Sequence, residues 1–413
     1  MMRRTAIGSG TGVLLALALL AWVLTDPDGG DGPAGCGGLR ATGWQPDERM
    51  TGEFARYGDD NLRSDDWTGG DGTRSVRLPD GRTLWLSADT FLDQVHPGAR
   101  RVPQPSWVRN SALVMSPGGR MERTLLGEPG ADGRPGALFP GTADADGGEV
   151  WRWPAQAVVE PRSPGSGEQV VRVLLWQREE GAPPWVFGVP RATEVATLSL
   201  PGLELESIDP LHRPDPATAP ETRVLYGTSA VREGRWTYVF GADERGVRGG
   251  RASRAHVARA PEGRLADASA WRYWNGSGWA AEPGAAAAMD FGEHPDSATN
   301  TYSVARRGDS WLLLTMDAGG PDGKPSATAV TYWACDPAGP WHGPHRAAEP
   351  PLPPGGAEAG AMPYNPQWHA EFGGDGSLLA GYDVNVTQDT AAIQRDVALY
   401  RPRFLRLTLR AVP

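Results

Sequence analysis

Two aspartates, Asp71 and Asp89, lie near the ends of the stretch GGDGTRSVRLPDGRTLWLSADTFL at residues 69 to 92. Paired carboxylates can divide acid and base roles when their surroundings separate their pKa values, and that division cleaves glycosidic bonds. A turn at Asp80 and Gly81 between two apolar runs folds as a hairpin. Opposed residue numbers then sum to about 161, which sets Asp71 opposite Thr90 and Asp89 opposite Gly72. The two carboxylates meet at one end of the hairpin. The neighbouring Gly69, Gly70 and Gly72 either let the backbone approach a ligand or make a tight turn.

Other chemistries lack their residues. The chain has no P-loop, Rossmann fingerprint, G-x-S-x-G elbow or kinase set. His96, His212, His256, His294, His342 and His345 show no metal-ligand spacing, so no metal site is expected. With 40 basic and 50 acidic side chains the formal charge is -10, and no basic tract follows the amino terminus. Nucleic acid is not an expected partner.

The elements that must position the aspartates are short strands. Gly (55) and Pro (38) make up more than a fifth of the 413 residues and are spread throughout, a composition that disfavours long helices. The hairpin has four relatives, each a polar turn followed by an apolar run: SGEQVVRVLLWQR at 166, REGRWTYVFGAD at 232, RGDSWLLLTMD at 307 and GDGSLLAGYD at 374. A strand precedes each turn: TRSVRL, QAVVEP, TSAVRE, TYSVAR and QWHAEF. Their spacing suits four-stranded blades with decorated loops, and the pattern predicts an all-β, five-bladed β-propeller of four-stranded antiparallel blades. The carboxyl-terminal YRPRFLRLTLRAV is expected as an outer strand near the closure. The first strand of each blade lines the channel, so Asp71 and Asp89 fall at a channel mouth. At the position of Asp89 the other units carry Arg178, Asp243, Asp317 and Asp383, and recurrence by blade favours a strand-capping role for Asp243 and Asp317. No calcium motif is visible and no cofactor is expected, with a channel calcium left open.

Arg3 and Arg4 precede an apolar run from Val13 to Leu24, so residues 1–25 read as a signal peptide or an N-terminal membrane anchor. Residues 26–39 form a Gly/Asp/Pro linker, and 40–413 a single propeller domain. The expected location is extracellular or anchored to the cell envelope, as a monomer. Cys36 and Cys335 are the only cysteines, and in an oxidising compartment they pair.

The segments WTGGDGTRSVRLPDGRTLWLSADTFL, VRNSALVM, WRWPAQAVVE, AWRYWNGSGW, GPW, LLAGYDVN and YRPRF occur in order between Trp67 and Phe404. Together they resemble secreted actinobacterial five-bladed propellers of a domain-of-unknown-function family. That wider group is similar to furanoside-active glycoside hydrolases, including arabinanases and fructosidases, whose acidic residues sit at the axial mouth. The resemblance implies a polysaccharide or glycoconjugate ligand and brings in Glu160 as a third acid. Where relatives read WPGDG this chain has WPAQA, so Gln156 holds a place often acidic, and an amide exchanges no proton near neutrality. Where relatives read YNAHAHPE this chain has YNPQWHAE, which retains Tyr364, Asn365, His369 and Glu371. His369 either orients substrate or is a core histidine.

Sugars stack their C–H faces on aromatic rings, and Trp67, Trp107, Trp151, Trp153 and Trp368 fall on segments expected near the mouth. Trp271, Trp274 and Trp279 are expected between blades. The chain thus reads as a carbohydrate-active propeller, a glycoside hydrolase with catalytic Asp71, Asp89 and Glu160. Gln156, Asn110, Trp67, Trp153, Asn365, Trp368 and His369 are its expected substrate contacts. The alternatives are a non-catalytic glycan-binding propeller and a structural envelope protein.

Overall fold

The structure, a computed structural model, describes residues 36–60, 65–96, 100–102, 106–143, 147–248, 252–293, 298–318, 327–374 and 376–412. The expected signal or anchor, the first ten residues of the expected linker, and His294 lie outside the described residues. Among the described residues no helix is long and apolar enough to cross a membrane.

Runs such as VRVLLWQ and WLLLT are apolar at consecutive positions, the pattern of strands buried on both faces. Successive side chains of a strand point to opposite faces, so each such strand serves two seams. Leu312 and Leu314 pack with Leu378 and Tyr382 of the following sheet, while Leu313 packs with Phe240 and Val257 of the preceding one. Val173 and Leu175 likewise pack with Leu84 and Val114, and Leu174 with Val239 and Tyr273. Each fully buried side chain of this kind contributes about 1.5–3 kcal/mol relative to exposure.

The sheets are antiparallel blades. Blade 1 runs outward through Arg74–Arg77, Thr83–Ser87, Ser111–Met115 and Met121–Leu125. Blade 2 comprises Glu149–Pro161, Gln169–Glu179, Val189–Leu198 and Leu205–His212, with the short Thr142–Ala143 beside its first strand. Blade 3 starts at Leu225–Glu233, blade 4 at Ser303–Arg307 and blade 5 at Met362–Gly374. These first strands touch in a closed cycle, blade 1 to 2, 2 to 3, 3 to 4, 4 to 5 and 5 back to 1. The molecule is a five-bladed β-propeller.

The closure differs from the expectation. Arg403–Ala411 is the third strand of blade 5, and the outermost strand is the amino-terminal Leu39–Pro46, paired from Leu39↔Ala411 to Pro46↔Leu405. Thus the end of the predicted linker belongs to the fold: Cys36 is disulfide-bonded to Cys335, and the Val412 N–H donates to Gly38 O. A helix, Glu48–Asp59, follows the closing strand. Asp47 caps it by accepting from the Met50 N–H, and Met50, Phe54 and Tyr57 seal the blade 1/blade 5 seam against Trp67, Trp85 and Phe404.

Candidate active site

Asp71 enters from the three-stranded extension of blade 1, Trp67–Gly70 with Thr90–Leu92 and Ser106–Val108. The hairpin register is one residue tighter than expected: Arg74 pairs with Leu86, and Asp71 lies directly opposite Asp89. The Asp71 N–H donates to Asp89 O at 3.3 Å, and the Ala88 N–H to Asp71 O at 2.7 Å. Between them Gly72 adopts φ +66°, where a Cβ would lie 2.6 Å from that of Ala88. The glycine therefore lets the chain pass close against Ala88 at the end of the hairpin that carries both aspartates.

The two carboxylates have different surroundings. The Tyr364 hydroxyl donates to Asp71 Oδ2 at 2.5 Å. Burial, followed by the nearby Asp89 and Asp383 charges, raises the Asp71 pKa well above the usual carboxylate range. Asp89 accepts from Trp153 Nε1 at 2.9 Å and lies 3.8 Å from the Arg109 guanidinium. Its pKa is pushed up to about 6 by burial, against the lowering effect of Trp153 and Arg109. Arg109 is bound at 2.9 and 2.7 Å to both oxygens of Glu149 and lies between the Trp107 and Trp151 rings.

Asp383, from blade 5, holds the loop that carries Asp71. It accepts from the Gly72 N–H at 2.8 Å, Thr73 Oγ1 at 2.8 Å and Asn365 Nδ2 at 3.1 Å. Arg74 balances the acids from below, and its own pKa is pushed down to about 10 by burial. Tyr400 donates its hydroxyl to Asp89 O at 3.1 Å. Outside Asp89 opens a cleft of about 290 Å³, lined among others by Arg109, Glu149, Trp151, Trp153 and Glu180.

Of the residues expected at the site, Asp71, Asp89, Trp153 and Asn365 come together here, with Trp151 lining the cleft and Trp107 stacked on Arg109. Glu160, Asn110, Gln156, Trp67, Trp368 and His369 lie elsewhere. Glu160 is on the Trp153 strand but seven residues further on, about 20 Å toward the opposite face. It is fully buried, accepting from Gly263 N at 2.8 Å, Leu265 N at 3.2 Å and Arg172 Nε at 3.3 Å. Asn110 is buried and spans Phe139 and the Arg152 carbonyl through three hydrogen bonds. Gln156 is buried, with Oε1 accepting from the Ala157 N–H. Trp67 is packed under the helix, and Trp368 is buried with Nε1 donating to Leu312 O. His369 is a core histidine: Nδ1 lies 2.6 Å from Ser75 Oγ, its ring packs on Trp85, and burial pushes its pKa down to about 3.

Sequence reasoning missed Tyr400, Arg74, Arg109, Glu149, the bond from Tyr364 to Asp71 and the clamping role of Asp383. Tyr364 and Tyr400 reach the blade 1 aspartates from 293 and 311 residues away, so no local spacing marks them. Among the described residues no His/Cys/Asp/Glu cluster is arranged to hold a metal ion.

Comparison with known proteins bears on the family and on the fold. The chain belongs to the family described as Domain of unknown function (DUF5005), whose model matches residues 54–409. None of the curated proteins compared matches it. A solved structure from Bacteroides ovatus, provisionally described as a hydrolase, is similar at TM-score 0.64 and 18% identity over 88% of this chain and 90% of that one. A GH43_1 enzyme from Xanthomonas citri complexed with xylose aligns at TM-score 0.43 and 12% identity, over 88% of this chain and 96% of that one. A GH43 β-xylosidase/α-arabinofuranosidase from a compost microbial metagenome, in complex with xylotriose, aligns at 0.43 and 11%, over 91% and 95%. The Bacteroides likeness is one of fold.

Proposed function

We propose that the protein is a carbohydrate-active propeller that hydrolyses glycosidic bonds of a polysaccharide or envelope glycan, with Asp71 and Asp89 as the reacting carboxylates. One observation carries the reading: two aspartates whose backbones pair at one end of the hairpin, with carboxyl pKa values raised by different neighbours. Asp71, whose pKa is raised by burial and by the Asp89 and Asp383 charges, is the acid that gives its proton to the glycosidic oxygen as the C1–O bond breaks. Asp89 takes a proton from the attacking water, whose oxygen bonds to C1. Exchange with solvent then resets both groups. Trp153, fixed by its bond to Asp89, offers a ring face to a sugar. Arg3, Arg4 and the apolar run before the linker, together with the Cys36–Cys335 disulfide, support a secreted or envelope-anchored location.

A non-catalytic glycan-binding role is the second reading, and the burial of Glu160 favours it by leaving two acids where the resemblance implied three. Screening arabinans, fructans and envelope glycans for released sugar and for binding separates the two. Cleavage that is lost in Asp71→Asn but kept in Asp243→Asn supports the hydrolase. Binding without cleavage by any preparation, lost in Trp153→Ala, overturns it in favour of the binding module.

A further inference from the structure

The cleft beside Asp89 has a polar floor and an apolar lip. Its floor carries Asp89, Glu149 and Glu180 around the single Arg109 guanidinium, and one wall is the loop Gly181–Gly188. That loop, GAPPWVFG, contains no charged or hydroxyl side chain. Its tip leaves Val186 69% and Phe187 58% exposed, and Trp107, stacked on the Arg109 that lines the cleft, is 48% exposed. Among the described residues five large apolar side chains are 40% or more exposed; Val186 and Phe187 line this cleft, and Trp107 is stacked on its Arg109.

The loop is held in place. Trp185 N donates to Ala182 O at 3.0 Å, Gly188 N to Trp185 O at 2.9 Å, and Arg178 Nη1 to Gly188 O at 3.0 Å. Gly188, at φ +84°, lies so close to Trp151 that a Cβ would fall 2.4 Å from the indole. A rigid loop that presents valine and phenylalanine to water beside a binding cleft has a cost unless a ligand covers it. A sugar face suits tryptophan or phenylalanine, but valine has no π face to stack. Hydrocarbon covers both.

From this geometry we infer that the ligand is an amphiphile: a sugar carrying a linear alkyl or acyl chain, with the sugar in the carboxylate-lined cleft and the chain laid along Val186, Phe187 and Trp107. The inference rests on the glycan reading of the mouth and adds the chemical class of the group attached to the sugar.

The test is calorimetric titration of the full-length protein with n-octyl and methyl glycosides of arabinose, galactose and glucose, below micellar concentrations. At least one octyl glycoside is expected to bind about tenfold or more tightly than its methyl partner. The Val186→Ser/Phe187→Ser variant should bring that ratio under about twofold. Because it keeps the amino-terminal segment, any detergent bound there cancels. Equal affinity for octyl and methyl partners, no octyl glycoside bound, or a preference that survives in the variant would each overturn the inference. Glycan cleavage without an octyl preference removes this inference and leaves the hydrolase reading. An octyl preference that depends on the loop, in a protein that cleaves nothing, does the reverse.

Discussion

The strand Glu149–Pro161 meets acidic chemistry at both ends, and burial raises carboxylate pKa values at each, but the two ends supply different sets of donors. At the far end Glu160 is enclosed and receives two backbone N–H groups and an arginine. At the mouth Asp89 receives one indole N–H with an arginine at 3.8 Å, and Asp71 is pressed against two other acids under a tyrosine hydroxyl. A buried carboxylate with enough donors is a strut, whereas one short of donors keeps free energy that a proton or a ligand can recover. Asp383 sits among the mouth acids with more donors than either neighbour, although burial raises its pKa as well.

The comparison breaks most visibly in activity. Asp71→Asn should lower turnover about 10²- to 10⁴-fold on whichever glycan is cleaved, with the fold intact by circular dichroism. Glu160→Ala should do the reverse. Leaving Arg172 buried without its partner should cost about 3–5 kcal/mol in urea unfolding, with turnover per folded molecule unchanged. If Asp71→Asn unfolds the protein while Glu160→Ala silences it, the assignment of the two ends is inverted.

Much of the architecture was legible because it is written in local repeats. Five turn-plus-run units give five blades, and TRSVRL, QAVVEP, TSAVRE, TYSVAR and QWHAEF each become a first strand. The helix at 48–59 was not read, although Met50, Phe54 and Tyr57 have helical spacing, because the Gly/Pro-rich composition argued against helices. The closing strand was missed because LRATGWQP pairs with a segment at the other end of the chain. The site divides on the same line. Asp71 and Asp89 belong to one hairpin, and turn register brings them together. Tyr364, Asn365, Asp383 and Tyr400 arrive by ring closure, which no local pattern encodes. Trp67 and Trp368 were expected at the mouth on segment position alone, but strand alternation points both into seams. Glu160, brought in by the resemblance, lies on the right strand at the wrong end.

A smaller effect should come from the disulfide, which ties the chain just before the closing strand to blade 4 on the face where Glu160 sits. Cys36→Ser should cost about 2–4 kcal/mol in urea unfolding, because the bond restricts the unfolded chain. Glycan binding at the other face should persist. A variant that loses binding with its fold intact would show that the far face does more than support the ring.

The mildest effect sharpens the comparison through pH. Asp89 has a native pKa of about 6, above the ordinary carboxylate value of about 3.9 that it takes when unfolded. Below pH ~4 both states are protonated and the group contributes nothing to stability. Between pH ~4 and ~6 the native state keeps a proton that the unfolded state has released, so raising the pH destabilises the fold. Above pH ~6 the full penalty persists. The two-unit difference sets an upper limit of about 3 kcal/mol, and the 28% exposure of the side chain together with the Trp153 bond brings the expectation nearer to ~1 kcal/mol. Asp89→Asn, which can still accept from Trp153, should therefore melt higher than wild type at pH 8 and match it near pH 4. Thermal unfolding of both proteins at the two pH values measures the difference. A variant destabilised equally at both would mean that Asp89 is a satisfied strut like Glu160, and the mouth would then hold no carboxylate pair poised to exchange a proton.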